Sequence, residues 1–265
     1  MRGRDGDIDA GRPFDWGRTS ADYGRYRPGP PDSYYEKLRT FGIGREGQRL
    51  LDLGTGTGLL ARRFAAQGAV VTGIDVAPEQ ILEAQRQADA QGLAVDFSVA
   101  AAEALPFADA SFDVVTANQC WWYFDQSRAV PEVLRVLAAD GCLMESQFSF
   151  LPRLDATVAA SERLVLEFNP DWSGADWDGR IPARPGWSRQ HFTLRAMYWY
   201  DEAIAFTRES WRGRMRALRG IGASLPPDAV EAFDARLDAL LREIVPEQFD
   251  ILHRISVHIF EPLAG

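Results

Sequence analysis

The sequence predicts an α/β fold with a doubly wound, mostly parallel sheet, because short apolar runs alternate with helical segments from Arg49 onward. Five runs have the length and apolar pattern of strands: RLLDL, AVVTGID, AVDFSVA, FDVVTAN and GCLMESQFSF. Segments between them, such as PEQILEAQRQADAQ, place apolar residues at helical spacing. After Phe150 the alternation stops, and a stretch rich in Trp, Gly and Pro begins. We therefore expect a cap of helices and loops inserted after the fifth strand.

Four regions follow from this order of elements. We expect a tail and a lid helix in residues 1–40, a cofactor-binding core in 41–150, the cap in 151–250, and the closing strand of the core sheet in 251–265. The lid helix begins at Asp32 or Ser33, since either side chain can cap it. Within the cap, DATVAASERLVLEF predicts a helix, HFTLRAMYWY a strand, and DEAIAFTRESWRGRMRALRG and PPDAVEAFDARLDALLREI two further helices.

Charge and composition restrict the partners and the compartment. A net charge of -9 at pH 7 repels phosphate backbones and anionic lipid, which disfavours nucleic-acid and membrane partners. No apolar run approaches the roughly 18 residues that span a bilayer, and the N-terminus lacks the apolar segment of a signal peptide. The two cysteines, Cys120 and Cys142, form no disulfide framework. We expect a soluble, cytoplasmic protein, and its oligomeric state stays open, a homodimer included.

A glycine-rich loop, LLDLGTGTGLL, follows the first strand and opens a helix. Gly54 permits the turn, and Gly56 lets the backbone approach a ligand because it carries no Cβ. Leu59 stands where a dinucleotide-binding motif has its third glycine. Asp75 ends the next strand, where its carboxylate can accept hydrogen bonds from both hydroxyls of a ribose. This pattern favours a nucleoside-containing cofactor without a 2′-phosphate, which disfavours NADP.

Three motifs in succession make the chain similar to a known family. LLDLGTGTG, GIDVAPEQILEAQ and AAAEALPFADASFDVVTAN resemble the class I S-adenosylmethionine-dependent methyltransferases, in particular the ubiquinone/menaquinone-biosynthesis and trans-aconitate types. The resemblance covers about Arg49 to Phe148 and implies a Rossmann-like core with S-adenosylmethionine as cofactor. A dinucleotide enzyme and a catalytically inactive version of the fold are the alternatives.

The resemblance also implies a set of cofactor-binding residues. They are Tyr23, Arg27, Gly54, Gly56, Asp75, Val76, Ala102, Glu103 and Asn118. The segment from Asp52 to Gly58 would hold the methionine part, Asp75 the ribose, and Val76 the adenine face. Many relatives carry Asp where this chain has Ala101, so Glu103 would take over recognition of the adenine edge.

The upstream segment SADYGRYRPGPP resembles the one that relatives fold over the carboxylate of the cofactor. Tyr23 and Arg27 are the candidates for that contact, and an exposed tail is the alternative. Asn118 and Gln119 follow the fourth strand and would line the mouth where the methyl group is transferred.

Tryptophans mark the expected acceptor site. In NQCWWYFD, Trp122 stands where relatives often carry His, which removes a proton carrier and adds an apolar wall. Trp172, Trp177 and Trp187 lie in the predicted cap, where they would favour an apolar or aromatic acceptor. Packing of the aromatic side chains against the neighbouring helix is the alternative for at least two residues of NQCWWYFD.

Few residues are candidates for proton transfer or anion binding. A sulfonium methyl is already activated, so the protein mainly aligns the reactants and excludes water. His191 and Glu167 are the candidate general bases, each with a purely structural alternative. Arg212 belongs to an arginine series on one helical face, which is either solvated or a clamp for an anion; the series is Arg208, Arg212, Arg216 and Arg219. We expect no metal, because no His, Cys, Asp or Glu cluster has ligand spacing.

These observations predict transfer of a methyl group from S-adenosylmethionine to a small molecule, with oxygen or nitrogen favoured as the methylated atom. A C-methyltransferase acting on an aromatic or prenyl diphosphate is the first alternative, with the arginine series on the diphosphate and Glu167 taking the proton. A non-catalytic protein that binds S-adenosylmethionine is the second. The sequence does not identify the acceptor.

Overall fold

The computed structural model describes residues 5–263, with the backbone alone at residues 5–7, Ser20 and Tyr23. The strands are β1 Arg49–Leu53, β2 Val70–Asp75, β3 Asp96–Val99, β4 Phe112–Asn118, β5 Leu137–Phe150, β6 Phe192–Thr207 and β7 Gln248–Pro262. The helices are α1 Ser20–Tyr26, α2 Asp32–Thr40, α3 Leu59–Ala65, α4 Pro78–Ala90, α5 Gln126–Val136, α6 Ala156–Phe168, α7 Arg208–Arg216 and α8 Pro227–Ile244.

The strands form one seven-stranded sheet in the order β3-β2-β1-β4-β5-β7-β6. Strands β1 to β5 pair in parallel, and β7 runs antiparallel to both β5 and β6. The prediction of a doubly wound, mostly parallel sheet is therefore confirmed. The strand order reverses between β1 and β4, and in such sheets a ligand cleft lies beyond the carboxyl ends of the strands at this reversal.

Helices cover both faces of the sheet, because successive strand residues point to opposite sides. Leu50 of β1 is buried in one apolar cluster with Leu38 of α2 and Phe64 of α3. Its neighbour Leu51 is buried in a second cluster with Val133 of α5. Both clusters anchor the central strands, so the loops at the carboxyl ends rest on a rigid base.

Strand β6 is longer than the sequence predicted. We expected a helix from Asp201, but the strand continues to Thr207 and pairs with β7 along its full length. The reason is that burial alternates from residue to residue: Ile204 and Phe206 are less exposed than Ala203 and Ala205. A period of two is typical of a strand with one buried face. Helix α7 begins only at the next residue, where the Thr207 side chain caps it.

The cap packs on the ends of β5 and β7. Its apolar cluster joins Val165 of α6, Trp211 of α7 and Phe233 of α8 to Phe150 and Ile251 at these strand ends. The prediction of a helical cap after the fifth strand is thus confirmed, although β6 returns to the sheet within it. In the part of the chain that the structure describes, no helix is long and apolar enough to cross a membrane.

Candidate active site

A cavity of about 930 Å³ lies at the carboxyl ends of the parallel strands. Gly54, Gly56 and Asp75 line it from the core, while Phe150, Trp172 and Arg214 line it from the cap side. This volume is in the upper range for small-molecule sites. One cavity therefore joins the predicted cofactor loop to the predicted cap.

The glycine loop turns in a conformation that side chains rarely adopt. Gly54 and Gly56 have φ values of +58° and +56°. A Cβ atom on Gly54 would lie 2.8 Å from the Cβ of Cys120. The loop backbone can therefore border the cavity only because glycine occupies these positions.

Asp52 supports this loop from below instead of lining the cavity. Its two carboxylate oxygens accept hydrogen bonds from the hydroxyls of Thr55, at 2.6 Å, and Thr116, at 2.7 Å. Asp52 is 2% exposed, and burial raises the pKa of its carboxyl to about 6. The expectation that Asp52 holds part of the cofactor is wrong in this respect, because its side chain is turned into the sheet.

Asp75 lies in the cavity wall with its carboxylate oriented by the backbone. Oδ2 accepts a hydrogen bond from the Gly56 N–H at 2.9 Å, and Oδ1 accepts one from the Ala77 N–H at 3.0 Å. Burial raises the pKa of this carboxyl. Each oxygen has a second lone pair, so the group can still accept hydrogen bonds from two hydroxyls.

Three further predicted residues, Val76, Ala102 and Glu103, line the same cavity as Asp75. Val76 is 67% exposed and lines the cavity, so its apolar side chain is accessible to a ligand there. Ala102 is buried in the wall, and Glu103 accepts a hydrogen bond from the Asp125 N–H at 2.7 Å through Oε1. The structure brings these residues together at the predicted adenine end.

Gln119 and Asn118 border the middle of the cavity. Gln119 has a left-handed backbone, with a φ of +57°, and its Nε2 donates to the Ser149 hydroxyl at 2.9 Å. The guanidinium of Arg27 donates a hydrogen bond to Gln119 Oε1, so the N-terminal segment does reach the cavity. The side chain of Tyr23 lies outside the described residues.

The tryptophans divide into two groups. Trp122, Trp172 and Trp177 line the cavity as expected. Trp187 does not, because it packs 4.6 Å from Trp121 and 5.1 Å from Phe260, ring centroid to ring centroid. Trp187 lies just before β6. The amino end of β6 pairs with the carboxyl end of β7, and this pairing is at the end of the sheet opposite the cavity. The prediction that Trp187 binds the acceptor is wrong for this reason.

Neither candidate base lies at the cavity. His191 is exposed at the amino end of β6, on the same opposite edge of the sheet. Glu167 is exposed on α6 and forms an ion pair with Arg236 at 2.7 Å. Both predictions are corrected by these placements.

The arginine series is mostly bound to acidic side chains. Arg212 pairs with Asp234 and Asp238 of α8, and its predicted role at the acceptor is wrong because these partners hold it outside the cavity. Arg219 does reach the cavity, where it pairs with Asp9 at 2.6 Å and donates to the Tyr123 hydroxyl at 3.0 Å.

Comparisons with known proteins identify the core. Residues 51–144 match the family model described as a methyltransferase domain. The chain is 45% identical over 109 residues to a demethylmenaquinone methyltransferase of Thermus thermophilus, which is 40% of this chain and 50% of that protein. It is 37% identical over 133 residues to a ubiquinone biosynthesis O-methyltransferase of Cereibacter sphaeroides, or 48% of this chain and 54% of the relative.

The core of this chain is thus similar in sequence to methyltransferase domains. The chain spans about half the length of the curated relatives it matches. A solved phospholethanolamine N-methyltransferase 2 of Haemonchus contortus has the same fold, at a TM-score of 0.53 and 19% identity, over 95% of this chain and 57% of that one. These comparisons support S-adenosylmethionine as the cofactor, as predicted.

The cavity fits this cofactor. The oriented carboxylate of Asp75 matches a pair of ribose hydroxyls, and the exposed side chain of Val76 offers an apolar surface to a flat base. The glycine backbone leaves room for a ligand above the loop that Asp52 supports.

Sequence reasoning missed several residues that line the cavity. They are Ile8, Phe14, Trp16, Tyr123, Glu162 and Arg214. For Glu162 the sequence does hold a signal, since Val158 and Val165 lie one turn before and after it on the apolar face of α6. Glu167 lies five positions further along the helix, about 140° around its axis, and so faces another direction.

Proposed function

We propose that this protein transfers a methyl group from S-adenosylmethionine to a small-molecule acceptor, with an oxygen or nitrogen atom as the methylated position. The observation that carries the proposal is the single cavity that connects Asp75 and the glycine loop with the aromatic cap. The names of the quinone-biosynthesis relatives are consistent with a small acceptor.

Each end of the cavity has a distinct task in this proposal. S-adenosylmethionine supplies an activated methyl group when it is bound. Gly54, Gly56 and Asp75 hold it at the core end, and the acceptor lies against Trp122 and Trp172. The cap excludes water and aligns the acceptor atom, which are the main requirements of this chemistry.

The C-methyltransferase alternative loses the residues on which it depended. Arg212 and Arg216 of the arginine series are ion-paired with acidic side chains outside the cavity, and Glu167 is paired with Arg236. Arg214, on another face of α7, and Arg219 of the series line the cavity, but Arg219 is already paired with Asp9, which leaves less positive charge for a diphosphate than the full series would supply.

Transfer of a labelled methyl group tests the proposal. The protein is incubated with methyl-tritiated S-adenosylmethionine and a macromolecule-free bacterial extract, and label is measured in the small-molecule fraction. We expect label transfer with the wild type and a loss of transfer with Asp75→Ala. Binding of S-adenosylhomocysteine without any transfer would instead favour the non-catalytic alternative.

The finer statements on partners and compartment also belong to this proposal. The charge of -9 supports a small-molecule acceptor over nucleic acid, and we propose a cytoplasmic location. We also propose that the chain is divided into tail, core, cap and closing strand, with cofactor binding in the core and acceptor binding in the cap.

A further inference from the structure

Glu162 is a carboxyl group inside the cap that is only half satisfied. Its side chain is 4% exposed and lines the cavity. Oε2 accepts a hydrogen bond from the Asp176 N–H at 2.8 Å. Oε1 has no hydrogen-bond partner among the groups that the structure describes.

Such a group is expensive to keep in a folded protein. A buried acceptor without a partner keeps its full desolvation penalty, and this penalty is larger when the group is charged. Burial raises the pKa of Glu162 to about 7; the Asp176 N–H lowers this pKa and the Asp176 charge raises it, and both effects are smaller than that of burial. Asp176 is itself paired with Arg153 at 2.7 Å, and Arg214 and Arg219 are cationic side chains that line the cap end of the same cavity.

The surroundings of Glu162 indicate what could satisfy it. Phe150, Trp172 and Trp177 line the same end of the cavity with aromatic surface. Aromatic side chains favour a flat, apolar occupant by stacking and edge contacts. An occupant that also carries a hydrogen-bond donor would supply the partner that Oε1 lacks, after a small rotation of the carboxyl group toward the cavity.

We propose that Glu162 binds the hydroxyl group of an aromatic alcohol and accepts its proton during methyl transfer. This inference rests on the proposed function and specifies its acceptor as a phenol-type compound. As the acceptor oxygen attacks, a new bond forms between that oxygen and the methyl carbon, and the carbon–sulfur bond breaks. The electron pair of the broken bond stays on sulfur, which becomes a neutral thioether. The hydroxyl proton passes to the Glu162 carboxylate, so the charges balance.

Two aromatic probes that differ in one methyl group test this assignment. Binding of 2-naphthol and of 2-methoxynaphthalene is measured by calorimetry on the full chain saturated with S-adenosylhomocysteine. We expect the wild type to prefer 2-naphthol by at least about tenfold, because only the hydroxyl can donate to Glu162. The preference should increase as the pH rises from 6 to 8, since the carboxylate is a stronger acceptor than the carboxylic acid.

Two leucine variants of the same helix make the test specific. Glu162→Leu should abolish the preference for 2-naphthol and its pH dependence, and Glu167→Leu should keep both. Thermal unfolding checks that each variant is folded. If Glu162→Leu is not folded, Glu162→Gln replaces it, because the amide oxygen can still accept a hydrogen bond from the Asp176 N–H. The glutamine variant should lose the pH dependence.

Each result decides the assignment. It is overturned if the wild type binds neither probe, if it shows no preference, or if the preference and its pH dependence survive in Glu162→Leu and Glu162→Gln. The proposed function is tested separately by the first step, since failure of S-adenosylhomocysteine to bind the wild type contradicts that proposal before any probe is added.

Discussion

The two ends of the cavity are built in different ways. At the core end the polar contacts are local: the Asp75 carboxylate is oriented by backbone N–H groups from one loop and from its own strand end. At the cap end they join distant parts of the chain, as in the ion pair between Asp9 and Arg219. A site made of local contacts can be identified from a short motif, whereas a site made of long-range contacts depends on how whole elements pack.

The largest effect should come from closing the core end of the cavity. Gly54→Val places a branched side chain on a residue with a φ of +58°, at a position where even a Cβ meets Cys120. Strain and overpacking together cost roughly 2–5 kcal/mol, so S-adenosylhomocysteine affinity should fall about a hundredfold. Calorimetry checks this, with Gly186→Ala as the control because nothing lies within 4 Å of its added Cβ.

Normal cofactor affinity in Gly54→Val would show that the loop adapts. The core end would then be no more rigid than the cap end, and the comparison would lose its basis.

Two tryptophans should separate acceptor binding from stability. Trp187→Ala removes a ring that packs on Trp121 and Phe260, and should lower the free energy of unfolding by roughly 3 kcal/mol. Trp172→Ala removes a buried ring of the cap cluster and should, besides lowering stability, weaken 2-naphthol binding, with S-adenosylhomocysteine affinity changed by about twofold at most. Chemical denaturation and calorimetry measure the two quantities. A parallel loss of acceptor and cofactor binding in Trp172→Ala would mean that the ends of the cavity are not independent.

Asp75→Ala should weaken S-adenosylhomocysteine binding by at least tenfold, because a charge-assisted hydrogen bond contributes roughly 1.5–3 kcal/mol. The substitution also leaves the Gly56 N–H without its acceptor, so part of the loss is in the loop. Asp75→Asn is the matched variant, since it keeps an oxygen for that N–H and isolates the charge. Unchanged binding in both variants would remove the ribose contact from the proposal.

NADH should not displace S-adenosylhomocysteine in the same assay, as Leu59 replaces the third glycine of a dinucleotide motif.

The smallest effect concerns pH and stability. Glu162 has a pKa of about 7 in the folded protein against 4.5 as its ordinary value, so the folded state binds the proton more tightly than the unfolded state. Its contribution to stability is therefore present below pH 4.5 and is lost as the pH rises toward 7. We expect Glu162→Gln to be more stable relative to the wild type at pH 7 than at pH 5, by roughly 1–2 kcal/mol.

Denaturant unfolding at both pH values measures this difference. The comparison with the variant cancels the contribution of Asp52, whose raised pKa acts in the same direction. A constant difference between the two proteins would show that Glu162 is not a buried titrating group.

The sequence predicted the core end well and the cap end poorly, for one physical reason. Gly54 directly follows β1, and Asp75 is the last residue of β2. Their positions can therefore be predicted once these two strands are recognised in the sequence. His191 and Trp187 were misplaced because the direction of β6, set by its pairing with β7, decides which sheet edge they occupy. Glu162 was missed for a different reason: its spacing from Val158 and Val165 on α6 predicts burial, but that spacing does not predict that the buried carboxyl faces a cavity.

The contacts of Arg219 indicate which part of the protein unfolds locally first. Its guanidinium binds Asp9 in the N-terminal segment, Ser173 in the tryptophan-rich loop and Tyr123 after β4. These are side-chain bonds, whereas the sheet is held by a continuous ladder of backbone hydrogen bonds. Local opening uses the weaker set first, so hydrogen exchange in the segment around Asp9 should be fast while β1 and β4 remain protected. Opening of this end of the cavity then requires separation of one cation from three segments, while the sheet stays folded.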